Sequence, residues 1–102
     1  MKIERLETFS TKMDSIVRVT TDTGEQGIGQ ISPWNADISA TVFHRQVAPH
    51  ALGRDPLEIE QLVDDVVMAE YKFPWSYLCR AVTGLDTALW DLKAKREGVS
   101  VC

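Results

Sequence analysis

Cysteine is scarce in this chain: Cys79 and Cys102 are the only two among 102 residues, and they lack the close spacing of a redox or zinc motif. Two such residues cannot build a disulfide scaffold, and both are read as thiols, with Cys79 a packing or flank residue of a helical segment. Long apolar runs are missing too. No stretch approaches the length of a membrane span, and Met1-Lys2-Ile3-Glu4-Arg5 puts charges where a secretory leader needs an apolar segment. A membrane is therefore not an expected partner, and the expected location is the cytoplasm. Nor is there a basic stripe: eleven Lys and Arg are scattered among fifteen Asp and Glu, for a formal charge of −4. Without a cluster of cations to displace counterions from phosphates, nucleic acid is excluded as a partner. Gly24-Glu25-Gln26-Gly27-Ile28-Gly29 has the glycine spacing of neither the dinucleotide motif nor the P-loop, and a strand follows its turn, which excludes a nucleotide site.

What is present is the composition of an ordinary globular domain, 44% hydrophobic and 25% charged, of a length that suits one modest core. Lys2 to Phe9 and the β-branched run Ser15-Ile16-Val17-Arg18-Val19-Thr20-Thr21 read as two strands. Asp22-Thr23-Gly24 supplies turn chemistry, and Gln26 to Ile31 returns as a third strand, giving an antiparallel meander. On that third strand the period of two puts Gly27, Gly29 and Ile31 on one face, which leaves bare backbone where another element can approach closely.

From Asn35 onward the period becomes helical. Asn35 is the expected cap of a first helix running toward Val47, with Pro49 ending or kinking it and Gly53 marking the exit. Asp55-Pro56-Leu57-Glu58 carries a start signal that predicts a second helix from Pro56. Ile59, Leu62, Val63, Val66 and Ala69 form its apolar stripe. The last helix, about Ser76 to Arg96, presents Leu78, Ala81, Val82, Leu85, Ala88, Leu89 and Leu92 as one full-length apolar face. Thr83, Thr87, Trp90 and Ala94 follow another side of the same helix. This stripe of small residues and one aromatic faces either the domain's own sheet or a barrel or subunit outside the chain. The expected fold class is thus α+β, a three-stranded antiparallel meander followed by about three helices.

The segment Ala81-Val82-Thr83-Gly84-Leu85-Asp86-Thr87-Ala88-Leu89-Trp90-Asp91-Leu92-Lys93-Ala94-Lys95-Arg96-Glu97-Gly98-Val99-Ser100-Val101 closely resembles the helix leading into the barrel of the mandelate racemase and muconate-lactonising enzyme group of the enolase superfamily. Val17 to Gly24 followed by Gly27-Ile28-Gly29-Gln30 resembles the second and third strands of the same group, and the order of elements agrees from end to end. The resemblance implies an N-terminal capping domain spanning residues 1–102, with the C-terminal β/α barrel absent from this chain. It further implies that the barrel holds three carboxylate ligands to Mg²⁺ and a Lys or His base, which removes a proton next to a substrate carboxylate. Gln30 stands where members often have Glu, and the short Ser10–Asp14 connection allows only a small lid.

No residue of the chain is expected to be catalytic or to bind metal. Asp64 and Asp65 diverge by about 100° around a helix, and Asp86 and Asp91 by about 140°. His44 and His50, six apart around Pro49, match no paired metal spacing. The candidates for covering a small carboxylate substrate are loop residues: Lys12, Trp34 and Asn35, with Tyr71 and Lys72 from the aromatic loop Tyr71 to Trp75. For Phe73 and Trp75, packing beneath a loop is the favoured reading. The function these features imply is a substrate-specificity lid on a Mg²⁺-dependent dehydratase, racemase or cycloisomerase, a homo-oligomer acting on a hydroxy or sugar acid. The alternative is a free-standing, non-catalytic interaction or dimerisation module.

Overall fold

The computed structural model describes residues 1–31, 33–72 and 76–98, apart from the Ser76 side chain. Three strands, β1 (Ile3–Ser10), β2 (Ser15–Thr21) and β3 (Gln26–Ile31), form an antiparallel meander in the order β1-β2-β3. Phe9 lies opposite Ile16, and Val17 opposite Gly29. The β2–β3 turn works as its residues demand: Gly24 takes φ 86°, and its N–H donates to the Thr21 carbonyl at 3.0 Å. Helices α1 (Ala36–Val42), α2 (Ala48–Ala51), α3 (Ile59–Ala69) and α4 (Ser76–Glu97) complete the α+β fold. None of the described helices is long and apolar enough to cross a membrane.

Two helix boundaries differ from expectation, each for a local reason. Pro49 does not end the first helix, which runs two residues past it to Ala51. Residues Phe43–Val47 widen into a π segment, with the Ala48 N–H donating to the Phe43 carbonyl, and the rod continues through α2 to a turn at Gly53, φ 83°. Moving the hydrogen-bond partner by one residue accommodates the donor that proline lacks. The second helix starts at Ile59, not at Pro56. Asp55 Oδ1 accepts the Leu57 N–H at 2.9 Å and so closes a local turn, and the first helical bond runs from the Leu62 N–H to the Glu58 carbonyl at 2.9 Å. Of the expected α3 stripe, Ile59, Leu62 and Val66 are buried, Val63 is half-buried and Ala69 is exposed.

The core lies between the sheet and α4. All seven residues of the α4 apolar face are buried, joined by Val17, Val19 and Ile31 from the sheet and Phe43 and Val47 from the π segment. At roughly 1.5–3 kcal/mol for each large side chain, before entropy is subtracted, this face anchors the domain. Its seat on β3 contains almost no side chain. A methyl added at Gly27 would overlap the Ala88 carbonyl oxygen and come within 2.8 Å of Leu92 Cβ; one at Gly29 would meet Ala88 N and Gly84 O at 2.5 Å. Gly84 closes the contact from the helix side, where a methyl would lie 2.6 Å from Ile31 Cγ1.

α4 also covers the outer edge of β3. The Asp91 carboxylate accepts the Ile28 N–H at 2.8 Å and pairs with Lys95 Nζ at 2.8 Å. Burial pushes the Asp91 carboxyl up, but the Lys95 ammonium and the Ile28 N–H outweigh it and hold the group below the usual aspartate range. At the far edge, the N–H of Ile3 donates to the Arg54 carbonyl at 2.8 Å, and the Gly53 N–H donates to the Ile3 carbonyl at 2.9 Å.

Two outcomes follow. Gly29→Ala should lower unfolding free energy by about 3 kcal/mol, because overpacking here pushes backbone against backbone; a loss under about 1 kcal/mol in a urea melt would mean that α4 is not seated on β3. Asp91→Ala should cost about 1 kcal/mol at neutral pH. A carboxyl whose pKa falls on folding stabilises above its unfolded value and loses that contribution as pH drops through the folded one. The gap between wild type and variant should therefore close below about pH 4, and a gap that persists in acid melts would rule out the charged contact.

Candidate functional site

Three segments meet at one end of the domain. The β1–β2 connection is a compact turn: the Thr11 N–H donates to the Asp14 carbonyl at 2.7 Å, and the Asp14 N–H to Thr11 Oγ1 at 3.1 Å. Its Lys12 carbonyl accepts the Ala36 N–H at 2.9 Å, which ties this turn to the start of α1. Between β3 and α1, Trp34 and Asn35 both take left-handed backbone, φ 69° and 52°. Asparagine tolerates that region, whereas tryptophan pays roughly 1–3 kcal/mol for it unless its surroundings hold it there. The third segment is the start of α4, where Arg80 Nη1 donates to the Trp34 carbonyl at 3.0 Å. The Arg80 guanidinium also sits 5.8 Å from the centre of the Tyr77 ring.

This geometry unites Lys12, Trp34 and Asn35 and leaves them open. Trp34 is 66% exposed, and Lys12 and Asn35 are exposed as well. Asn35 occupies the expected cap position of α1, but its side chain makes no capping bond; Nδ2 reaches toward Tyr77 Oη at 3.5 Å. The αL backbone explains the difference, since a capping side chain works from extended backbone. Tyr71 and Lys72 are exposed after the end of α3. Phe73, Pro74 and Trp75, the rest of that aromatic loop, lie outside the described residues. Tyr77 and Arg80 were not among the sequence candidates. Their signal is an aromatic and a cation three residues apart on the first turns of α4, directly after the aromatic loop.

Thr83, Thr87 and Trp90 form an exposed line along α4, with Lys93 Nζ 5.0 Å from the centre of the Trp90 ring. Ala94 departs from the expected stripe, because it is buried within the domain itself. Beside Trp90, a shallow cleft of about 400 Å³ opens against the start of α3, lined by Leu57, Glu58, Glu60 and Asp64 among others. Asp65 turns away from it. Its carboxyl is held below the usual range by a hydrogen bond from Arg54 at 2.7 Å and one from Gln61 at 2.8 Å. The histidines have ordinary partners: His44 Nε2 lies 2.8 Å from Thr8 Oγ1, and His50 Nε2 lies 3.1 Å from Glu70. Among the described residues no three His, Cys, Asp or Glu side chains come together as a ligand set.

Residues 4–102 match the family model described as mandelate racemase / muconate lactonizing enzyme, N-terminal domain. The chain belongs to this family. As a capping domain of the enolase superfamily it has relatives among acid-sugar dehydratases and racemases. It is 34% identical to a D-galactonate dehydratase of Xanthomonas campestris over 99% of its own length and 27% of that enzyme's. A solved structure described as a candidate racemase, from Roseobacter denitrificans, matches with 52% identity and a TM-score of 0.92, over 96% of this chain and 27% of that one. A mandelate racemase/muconate lactonizing protein of Paracoccus denitrificans, solved with magnesium, matches at 33% identity and a TM-score of 0.87, over 95% and 28% of the two chains. The capping domain thus spans about a quarter of the length of the relatives it matches.

Because Trp90 is 39% exposed, it lies outside the core on which the capping domain depends. Trp90→Glu is expected to stay within about 1 kcal/mol of the wild type in denaturant melts. A loss of several kcal/mol would identify the indole as a desolvated core group.

Proposed function

We propose that this capping domain covers the substrate of a Mg²⁺-dependent dehydratase or racemase of the enolase superfamily, one that removes a proton next to the carboxylate of a sugar acid. The observation that supports this reading is the convergence of Lys12, Trp34 and Asn35 on one end of the domain, their backbone groups tied by hydrogen bonds while their side chains stay exposed. Such a surface suits a small polyhydroxy acid. The Lys12 ammonium offers charge to a carboxylate, the Asn35 amide offers hydrogen bonds to hydroxyls, and the Trp34 indole offers a flat apolar face to C–H groups. Tyr71 and Lys72 extend the same role as outer lid residues. The dehydratase and racemase relatives support the reaction class, and the magnesium bound by the Paracoccus protein supports the metal. The metal ligands and the base are assigned to a barrel.

Thr83, Thr87 and Trp90 are proposed as the surface that a barrel or a second subunit covers, in an enzyme that works in the cytoplasm as a homo-oligomer. A free-standing dimerisation module would use the same line of residues but would leave Lys12 and Trp34 without a role. In an enzyme where this domain is joined to its barrel, Trp34→Ala and Lys12→Ala are each expected to raise KM for a sugar acid such as D-galactonate about five- to tenfold, with Tm nearly unchanged. Steady-state kinetics and thermal melts check this. If both variants melt several degrees lower and turn over normally per folded molecule, the residues are packing and the lid assignment fails.

A further inference from the structure

Two successive non-glycine residues in the left-handed region need something beyond local preference to hold them, and the bonds around Trp34 and Asn35 show what does. The Asn35 carbonyl is taken by the N–H groups of Ile38 and Ser39 at 3.0 and 3.1 Å, and the Ala36 N–H by Lys12. These bonds fix the start of α1, but none of them fixes the peptide that carries Trp34. That carbonyl goes to Arg80 Nη1 at 3.0 Å, with the Pro33 carbonyl at 3.5 Å from the same nitrogen. A guanidinium donating to a carbonyl makes a charge-assisted bond, stronger than a neutral one. Among the described residues no carboxylate pairs with Arg80, so none competes with the loop for its charge. Arg80 is itself steadied by α4, the most deeply seated helix of the domain, and by the Tyr77 ring beneath it.

We propose that Arg80 is a positioning residue: it latches the Trp34 carbonyl, holds residues 34 and 35 left-handed, and so presets the exposed indole as a rigid wall of the substrate cover without touching substrate itself. This rests on reading the loop as that cover. A preset wall avoids the ordering cost that a mobile indole would incur on each binding event, so loss of the latch should weaken binding and leave the chemical step alone.

In the 102-residue chain, NMR of Arg80→Gln is expected to show Trp34 and Asn35 leaving left-handed Cα shifts and couplings and the Trp34 indole N–H losing order, while Arg80→Lys keeps both. The wild type supplies a readout that needs no variant to fold: hindered rotation of the Arg80 guanidinium, with a nuclear Overhauser contact to the 33–34 segment. In the barrel-joined enzyme, Arg80→Gln should raise KM about fivefold with kcat within about twofold, and Arg80→Lys should restore KM. A freely rotating guanidinium in the wild type, or unchanged Trp34 signals in Arg80→Gln, overturns the latch whatever Trp34→Ala does. If the loop signals move while neither Trp34→Ala nor Arg80→Gln alters KM, the latch stands and the covering role of the loop is what fails.

Discussion

The close approach of backbone to backbone between β3 and α4 is the constraint on which this domain is built. Gly27 and Gly29 give up side chains on the strand, and Gly84 and Ala88 keep the helix thin, so the two elements meet at a distance that any added methyl would prevent. From that contact the rest is positioned. The apolar face of α4 drops onto Val17, Val19 and Ile31, and the first turns of the helix arrive beside the Trp34 loop. At its other end, Arg96 reaches the Glu25 carboxylate of the β2–β3 turn at 2.6 Å. That last pair is half-exposed and adds little stability of its own; it reports the alignment of the helix more than it causes it.

Legibility in the sequence tracked the range of the interaction. The α4 face could be read in full because seven apolar residues repeat at helical spacing, and a local period is visible in a linear string. The glycine face of β3 was legible for the same reason, as a period of two. What escaped was either a competition between local options or a polar bond across the fold. Asp55 has two ways to use its carboxylate, a turn bond or a helix cap, and the turn won. Pro49 predicted a disruption but not its form, since widening into a π segment depends on Phe43 and Val47 being held in the core. Asp91 with Ile28, and Arg80 with Trp34, join positions 63 and 46 residues apart, and such pairs leave no periodic trace.

The candidate site divides in the same way. Lys12, Trp34 and Asn35 could be picked out as polar and aromatic residues at breaks between elements, and the structure brings them together. Which residue holds the Trp34 carbonyl could not be picked out, because Arg80 lies on the flank of a helix whose clearest pattern is its apolar face. The aromatic and cation spacing of Tyr77 and Arg80 marks a pair on the helix but not what the cation holds; the left-handed backbone of Trp34 shows that.

The treatment of the sheet edges limits how this domain can meet other molecules. A three-stranded sheet offers two rows of unpaired backbone groups, and either could recruit a strand from a neighbouring chain. Here an Asp91 carboxylate occupies the Ile28 N–H at one margin, and Gly53 and Arg54 occupy both polar groups of Ile3 at the other. With those positions filled, the middle of β3 and the start of β1 are closed to a pairing strand. At those positions a neighbour must be met by side chains, where the fit of shapes, and not the shared grammar of the peptide bond, decides which partner is accepted.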